Sequence, residues 1–69
     1  MAQTLEFTVT GMTCDHCVRS VTSAAKDTAG VTDAEVNLEE GRAVVHGENI
    51  DPEAVIEAIR EEGYEAALA

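Results

Sequence analysis

The feature that most limits the fold of this 69-residue chain is a hydrophobic period that switches from two to about 3.6 and back, twice over. Leu5, Phe7 and Val9 alternate with Glu6 and Thr8, the period of a half-buried strand. Thr10-Gly11 breaks that pattern, and over residues 16–27 Cys17, Val18, Val21, Ala24 and Ala25 fall on one helical face. Thr13 and Asp15 are both candidate N-caps for this helix, and Gly30 marks its exit. Residues 31–38 read as a second strand, with Ala34, Val36 and Leu38 on one side. Glu39-Glu40-Gly41 turns the chain into a third strand over 42–46, giving a hairpin. Asp51-Pro52 is a helix start, a capping carboxylate followed by proline at the first helical position. Ile50 is placed to staple that start, and Val55, Ile56 and Ile59 supply the buried face. Gly63 is the expected stop, and 64–68 is long enough for one last strand.

The order strand, helix, strand, strand, helix, strand resembles the split βαβ, ferredoxin-like arrangement. The expected class is therefore α+β, a βαββαβ sandwich with a four-stranded antiparallel sheet and two helices on one face. Residues 1–69 form a single domain on this reading. One Phe, one Tyr and no Trp leave the core to Val, Ile, Leu and Ala. A core so small has no room for a large enclosed substrate pocket, which argues against an enzyme.

Charge narrows the partners. Fourteen acidic against four basic side chains give a formal net of −10, a surface that repels nucleic acid and anionic membranes. It suits a basic partner or a salty interior, or serves solubility alone. No apolar run approaches the ~20 residues of a membrane span. Met1-Ala2-Gln3-Thr4 has no basic stretch leading into an apolar core, so it reads as the natural start of a cytoplasmic protein. In a reducing compartment two cysteines are expected as thiols, for metal or redox chemistry.

Both cysteines sit in Gly11-Met12-Thr13-Cys14-Asp15-His16-Cys17, between the first strand and the first helix. Two intervening residues let both sulfurs converge on one point. Cys17 falls in the first helical turn, where unpaired N–H groups and the helix dipole stabilise a thiolate. Two soft thiolates without a third nearby ligand suit Cu(I), which prefers sulfur. A structural zinc site wants four ligands in a tetrahedron, and His46 lies in a strand far along the sequence. A thioredoxin-like redox role is the rival, weakened by the short chain, the absence of Trp and the Asp-His pair between the cysteines.

On these residues the whole chain resembles the heavy-metal-associated domain family, whose signature is G-M-x-C-x-x-C. The likeness runs over about 5–68 and includes Gly30-Val31, Val36-Asn37-Leu38 and Gly63-Tyr64. The family includes bacterial cytosolic copper chaperones, N-terminal domains of copper-transporting P-type ATPases, and mercury-binding proteins. The resemblance implies a Cu(I) chaperone that delivers its ion by thiolate exchange to the metal-binding domain of such an ATPase or to a copper-responsive regulator. The alternatives are an excised N-terminal domain of a transporter and a carrier of Zn(II), Cd(II) or Hg(II). The apparent natural start, and an end just after the last strand, favour the free-standing form. A monomer is expected without metal, and a copper-bridged homodimer with it.

The same resemblance assigns the neighbours of the cysteines. Met12 is expected to point into the core and anchor the loop, the alternative being a third soft ligand. Thr13 argues for Cu(I), because zinc-transporter relatives often carry Asp there. Tyr64 is expected in a loop near the metal, where its ring shields the site and its hydroxyl approaches a sulfur, or else as a rim residue over the core. His16 stays open between tuning a cysteine and having no role. His46 is read as a solvent-facing strand residue, and Glu57, Glu61, Glu62 and Glu65 as a solvated face.

Overall fold

Residues 2–69 are described by a computed structural model of the chain. Its elements are β1 (Gln3–Thr10), α1 (Asp15–Lys26), β2 (Val31–Asn37), β3 (Arg42–Gly47), α2 (Pro52–Glu61) and β4 (Glu65–Leu68). The strands form one sheet in the order β2-β3-β1-β4, antiparallel at every pairing. This is the ferredoxin-like βαββαβ sandwich, with both helices on one face of the sheet.

Alternation decides which face is covered. Phe7, Val9, Ala34, Ala43 and Val45 turn inward, and Phe7 stands opposite Ala43 on one side and Leu68 on the other. Val21 and Ala25 of α1, with Val55 and Ile59 of α2, close the same core. Each fully buried Phe, Val or Ile contributes about 1.5–3 kcal/mol over leaving it exposed. No polar or charged side chain is buried among the described residues. The opposite face of the sheet is polar: Arg42 pairs with Glu6 at 3.9 Å, and Thr4 Oγ1 lies 3.1 Å from His46 Nδ1. His46 thus lies on the outer face, half-buried beside Thr4.

Two readings of α1 need correction. Its N-cap is Cys14, not Thr13 or Asp15: Cys14 is extended (φ −160°, ψ 175°), and its carbonyl accepts from the N–H of Cys17 at 3.0 Å and of Val18 at 3.3 Å. No side chain caps the helix, because the Thr13 hydroxyl lies toward the Cys17 sulfur instead. The exit is also earlier than Gly30. The helix ends at Lys26 with Asp27 as C-cap, and the Gly30 carbonyl accepts from Glu48 N–H at 2.8 Å, joining the start of β2 to the end of β3. Leu38 lies in the hairpin turn, one residue beyond β2.

The start of α2 follows local chemistry. Asp51 accepts from Glu53 N–H at 3.0 Å, with Pro52 at the first helical position, and Ile50 and Val55 share the core across the cap. At the other end Gly63 N–H bonds to the Arg60 carbonyl at 2.9 Å, and Tyr64 N–H to the Ile59 carbonyl at 3.4 Å. That pair of bonds is the Schellman motif, which needs the left-handed backbone Gly63 adopts at φ 95°. The motif aims the next residue, Tyr64, back toward the loop between β1 and α1.

Candidate metal centre

The loop begins at Gly11, whose φ of 97° turns the chain out of β1. A side-chain carbon there would stand 3.5 Å from Tyr64 Cδ1, an ordinary contact, so backbone conformation rather than crowding calls for glycine. Met12 is half-buried and packs against the core. Thr13 and Cys14 are exposed, and Cys17 is half-buried in the first turn of α1. Asp15 and His16 are exposed, and the His16 imidazole makes no hydrogen bond among the described residues.

Cys14 Sγ and Cys17 Sγ lie 3.8 Å apart as free thiols, well beyond the ~2.05 Å of a disulfide. The Cys17 thiol is held down from 9.0 to about 6. The Thr13 backbone N–H, donating to the sulfur, is the largest cause, followed by the Tyr64 hydroxyl. Partial desolvation works against them, and the Thr13 hydroxyl, 3.8 Å away, and the Cys14 N–H assist. The thiolate therefore sits in a nest of loop N–H groups. Direct donation from Thr13 and Tyr64 is the chief cause of its acidity.

Tyr64 is half-buried and packs on the core through its ring. Its own pKa is raised, chiefly because its hydroxyl donates to Cys17 and keeps its proton in doing so. Ser20, one turn along α1, works in the opposite direction and lowers it in part. Ser20 is the participant that sequence reasoning missed. The available signal was its i, i+3 spacing from Cys17, which carries no meaning until Tyr64 is placed opposite it.

Among the described residues, no three His, Cys, Asp or Glu side chains stand close enough to share one metal ion. His46 is on the outer sheet face, away from the cysteines. The donor set is thus two sulfurs, open to solvent on the Cys14 side. A surface depression of 680 Å³ is an open trough between the start of α1 and the β2–β3 hairpin, lined by Asp15, Val18, Glu35, Leu38, Glu39 and Arg42. Neither cysteine lines it.

Comparison with known proteins follows the same outline. The pattern of the heavy-metal-associated domain matches residues 6–65. A copper-exporting P-type ATPase of Vibrio cholerae is 42% identical over 67 residues, which cover 97% of this chain but only 7% of that protein. The copper chaperone CopZ of Enterococcus hirae is 38% identical over 65 residues, covering 91% of this chain and 94% of CopZ. The crystal structure of a copper-binding domain from a P-type ATPase superposes with a TM-score of 0.92 at 35% identity, covering 100% of this chain and 95% of that one.

Proposed function

We propose, from the premise that this chain belongs to the heavy-metal-associated domain family, that it carries one Cu(I) ion between Cys14 and Cys17 and surrenders it to a protein acceptor. The observation that carries this reading is the pair of free sulfurs 3.8 Å apart at an open loop, one of them a thiolate near neutral pH. Two soft donors with no third ligand beside them among the described residues suit an ion content with two thiolates, and leave a hard four-coordinate ion short of partners. The copper-handling names of the relatives support the choice of metal.

Delivery follows from the open side of the site. An acceptor thiolate adds to the ion, giving three sulfurs, and one of the original pair then leaves. The ion is never released to water, so tight binding and quick exchange coexist. Met12 anchors the loop, Thr13 and Tyr64 hold the Cys17 thiolate by donating to it, and the reading needs nothing from His16. The acceptor we favour is the metal-binding domain of a copper-transporting P-type ATPase, with a copper-responsive regulator as the other candidate. Delivery would take place in the cytoplasm. No helix among the described residues is long and apolar enough to cross a membrane.

A second reading has its own support. Identity to the Vibrio ATPase, 42%, is close to that to the CopZ chaperones, 38% for the Enterococcus hirae protein and 44% for that of Staphylococcus haemolyticus, so the same site suits a segment of a transporter equally well. The mass of the native protein in cell extract separates the two: 7.3 kDa for a free carrier, many times that for a transporter.

The metal reading is tested by Cu(I) competition against a chromophoric chelator. Cys14→Ser and Cys17→Ser should each lose tight binding while circular dichroism stays that of the parent, since both sulfurs lie outside the core. Undiminished affinity in either variant would remove the two-thiolate site.

A further inference from the structure

We propose that the free edge of β2 is a docking site for an extended, basic segment of a partner protein, which adds to the sheet there as a further strand. The trough beside α1 marks the place. Glu35, Val36 and Asn37, successive residues of β2, all line it, although successive strand side chains point to opposite faces of a sheet. A groove touches all three only by running along the edge of the strand. On one side it reaches Glu6 and Val44 of the polar sheet face, and on the other Asp15 and Val18 of α1. No strand lies beyond β2, which ends the sheet order β2-β3-β1-β4.

The backbone along this edge is covered at one end and open at the other. Val31 N–H bonds to the Thr28 carbonyl at 3.2 Å, and Ala34 N–H to the Asp33 carboxylate at 2.9 Å, so neither is directed at β3. Asp33 also pairs with Lys26 of α1 at 3.7 Å, which closes this half of the edge. Residues two apart in a strand direct their backbone groups to the same side, so the N–H and carbonyl of Val36 point outward as those of Ala34 do. No loop, cap or side chain among the described residues bonds to them. The hairpin end of the trough is held in shape by Asn37, whose side chain accepts from Glu40 N–H at 3.1 Å. Open strand groups in a formed groove are what strand addition uses, with the new strand about 4.8 Å from the old.

Charge selects the occupant. Glu6, Asp15, Glu35, Glu39 and Glu40 line the trough against one cation, Arg42, which already faces Glu6 at 3.9 Å. Val18, Val36 and Leu38, all half-buried, give it an apolar floor. A strand with aliphatic residues toward α1 and Lys or Arg toward Glu35 and Glu39 matches both. A second copy of this chain does not, because its own acidic edge would set like charges side by side.

The test needs no copper and uses the reduced, metal-free protein, so its result is independent of the metal reading. The probe is a capped peptide of alternating Lys and Val, seven residues long to match β2. Backbone NMR shifts should move in residues 34–40 and 15–18 and stay put in α2. With free peptide at ten times its dissociation constant, the amide of Val36 should exchange about tenfold more slowly, since only unbound protein exchanges. The same peptide N-methylated at every residue keeps its charge and loses its N–H groups, and it should bind at least about tenfold more weakly. Glu35→Lys, at an exposed position that leaves the core untouched, should weaken binding of the parent peptide about three- to tenfold. Shifts scattered over the whole acidic surface, equal binding of the N-methylated peptide, or no binding would overturn the proposal. So would Val36 protection that grows with protein concentration when no peptide is present, because the occupant would then be a second copy.

Discussion

A thiol of pKa about 6 is roughly nine-tenths ionised at pH 7, so on the proposed reading Cys17 would meet a metal ion without first having to lose a proton. Its depressed pKa ties folding to pH in a fixed direction. The hydrogen bonds favour the thiolate in the folded chain, so their stabilisation is fully present above the unfolded value near 9 and is lost as pH falls through about 6. Urea midpoints of the metal-free protein should therefore rise between about pH 6 and 9 relative to those of Cys17→Ser. Parallel midpoints would mean that the thiolate is not held. Tyr64→Phe should move the alkylation midpoint of Cys17 upward, because the second-largest cause of the depression is gone. The proximity of the two sulfurs was legible in the sequence, since C-x-x-C after Gly-Met-Thr fixes their identity and spacing. The donors to Cys17 were only partly legible. Thr13 is nearby in the loop and Tyr64 was expected near the metal, but Tyr64 comes to Cys17 from 47 positions further along the chain, which no local pattern announces.

The two helices show where local chemistry suffices and where it fails. Asp51-Pro52 announces α2 because cap, proline and staple are all within five residues, and the helix starts where they place it. Asp51→Ala should cost about 1 kcal/mol in chemical denaturation and leave Cu(I) affinity unchanged, the helix start being remote from the cysteines. At α1 the better capping side chains, Thr13 and Asp15, lose to Cys14, because the loop must lay its N–H groups on the sulfur of Cys17. Cap preference is a property of a residue alone, whereas this helix start answers to a charge one turn further on. The end of α2 carries the opposite lesson. Gly63 was read as a stop, and it also aims Tyr64. Gly63→Ala forces a side chain into the left-handed region, at a cost of about 1–2 kcal/mol. It should also raise the pKa of Cys17 as Tyr64 is displaced, with alkylation against pH as the measurement. A stability loss with no change at Cys17 would show that the turn and the thiolate are uncoupled.

At the scale of the whole molecule the same charges should act in two directions. Three of the four basic side chains are tied to neighbours, Lys26 to Asp33, Arg42 to Glu6 and Arg60 to Glu57, in pairs more than half exposed and worth little individually. The net charge of −10 therefore repels itself across a body only 33 Å long, and it attracts a basic acceptor from outside. Screening weakens both effects, with a reach of about 30 Å at 0.01 M salt falling to about 3 Å at 1 M. Added salt should raise the melting temperature of the free protein and slow stopped-flow copper transfer to a basic acceptor. Charge reversal at Glu62 or Glu65, both exposed and near Tyr64 in the chain, should slow transfer and spare affinity. Transfer rates indifferent to salt and to both reversals would leave the acidic surface a matter of solubility. The placing of Tyr64 reaches beyond chemistry into optics. With no Trp in the chain and a single Tyr, nearly all absorption at 280 nm and nearly all ultraviolet emission arise from one ring, and its hydroxyl helps hold down the pKa of the sulfur at issue. Emission from the unlabelled protein should break sharply at one equivalent of Cu(I) and show no such break in Cys17→Ser, so that loading can be followed by light alone.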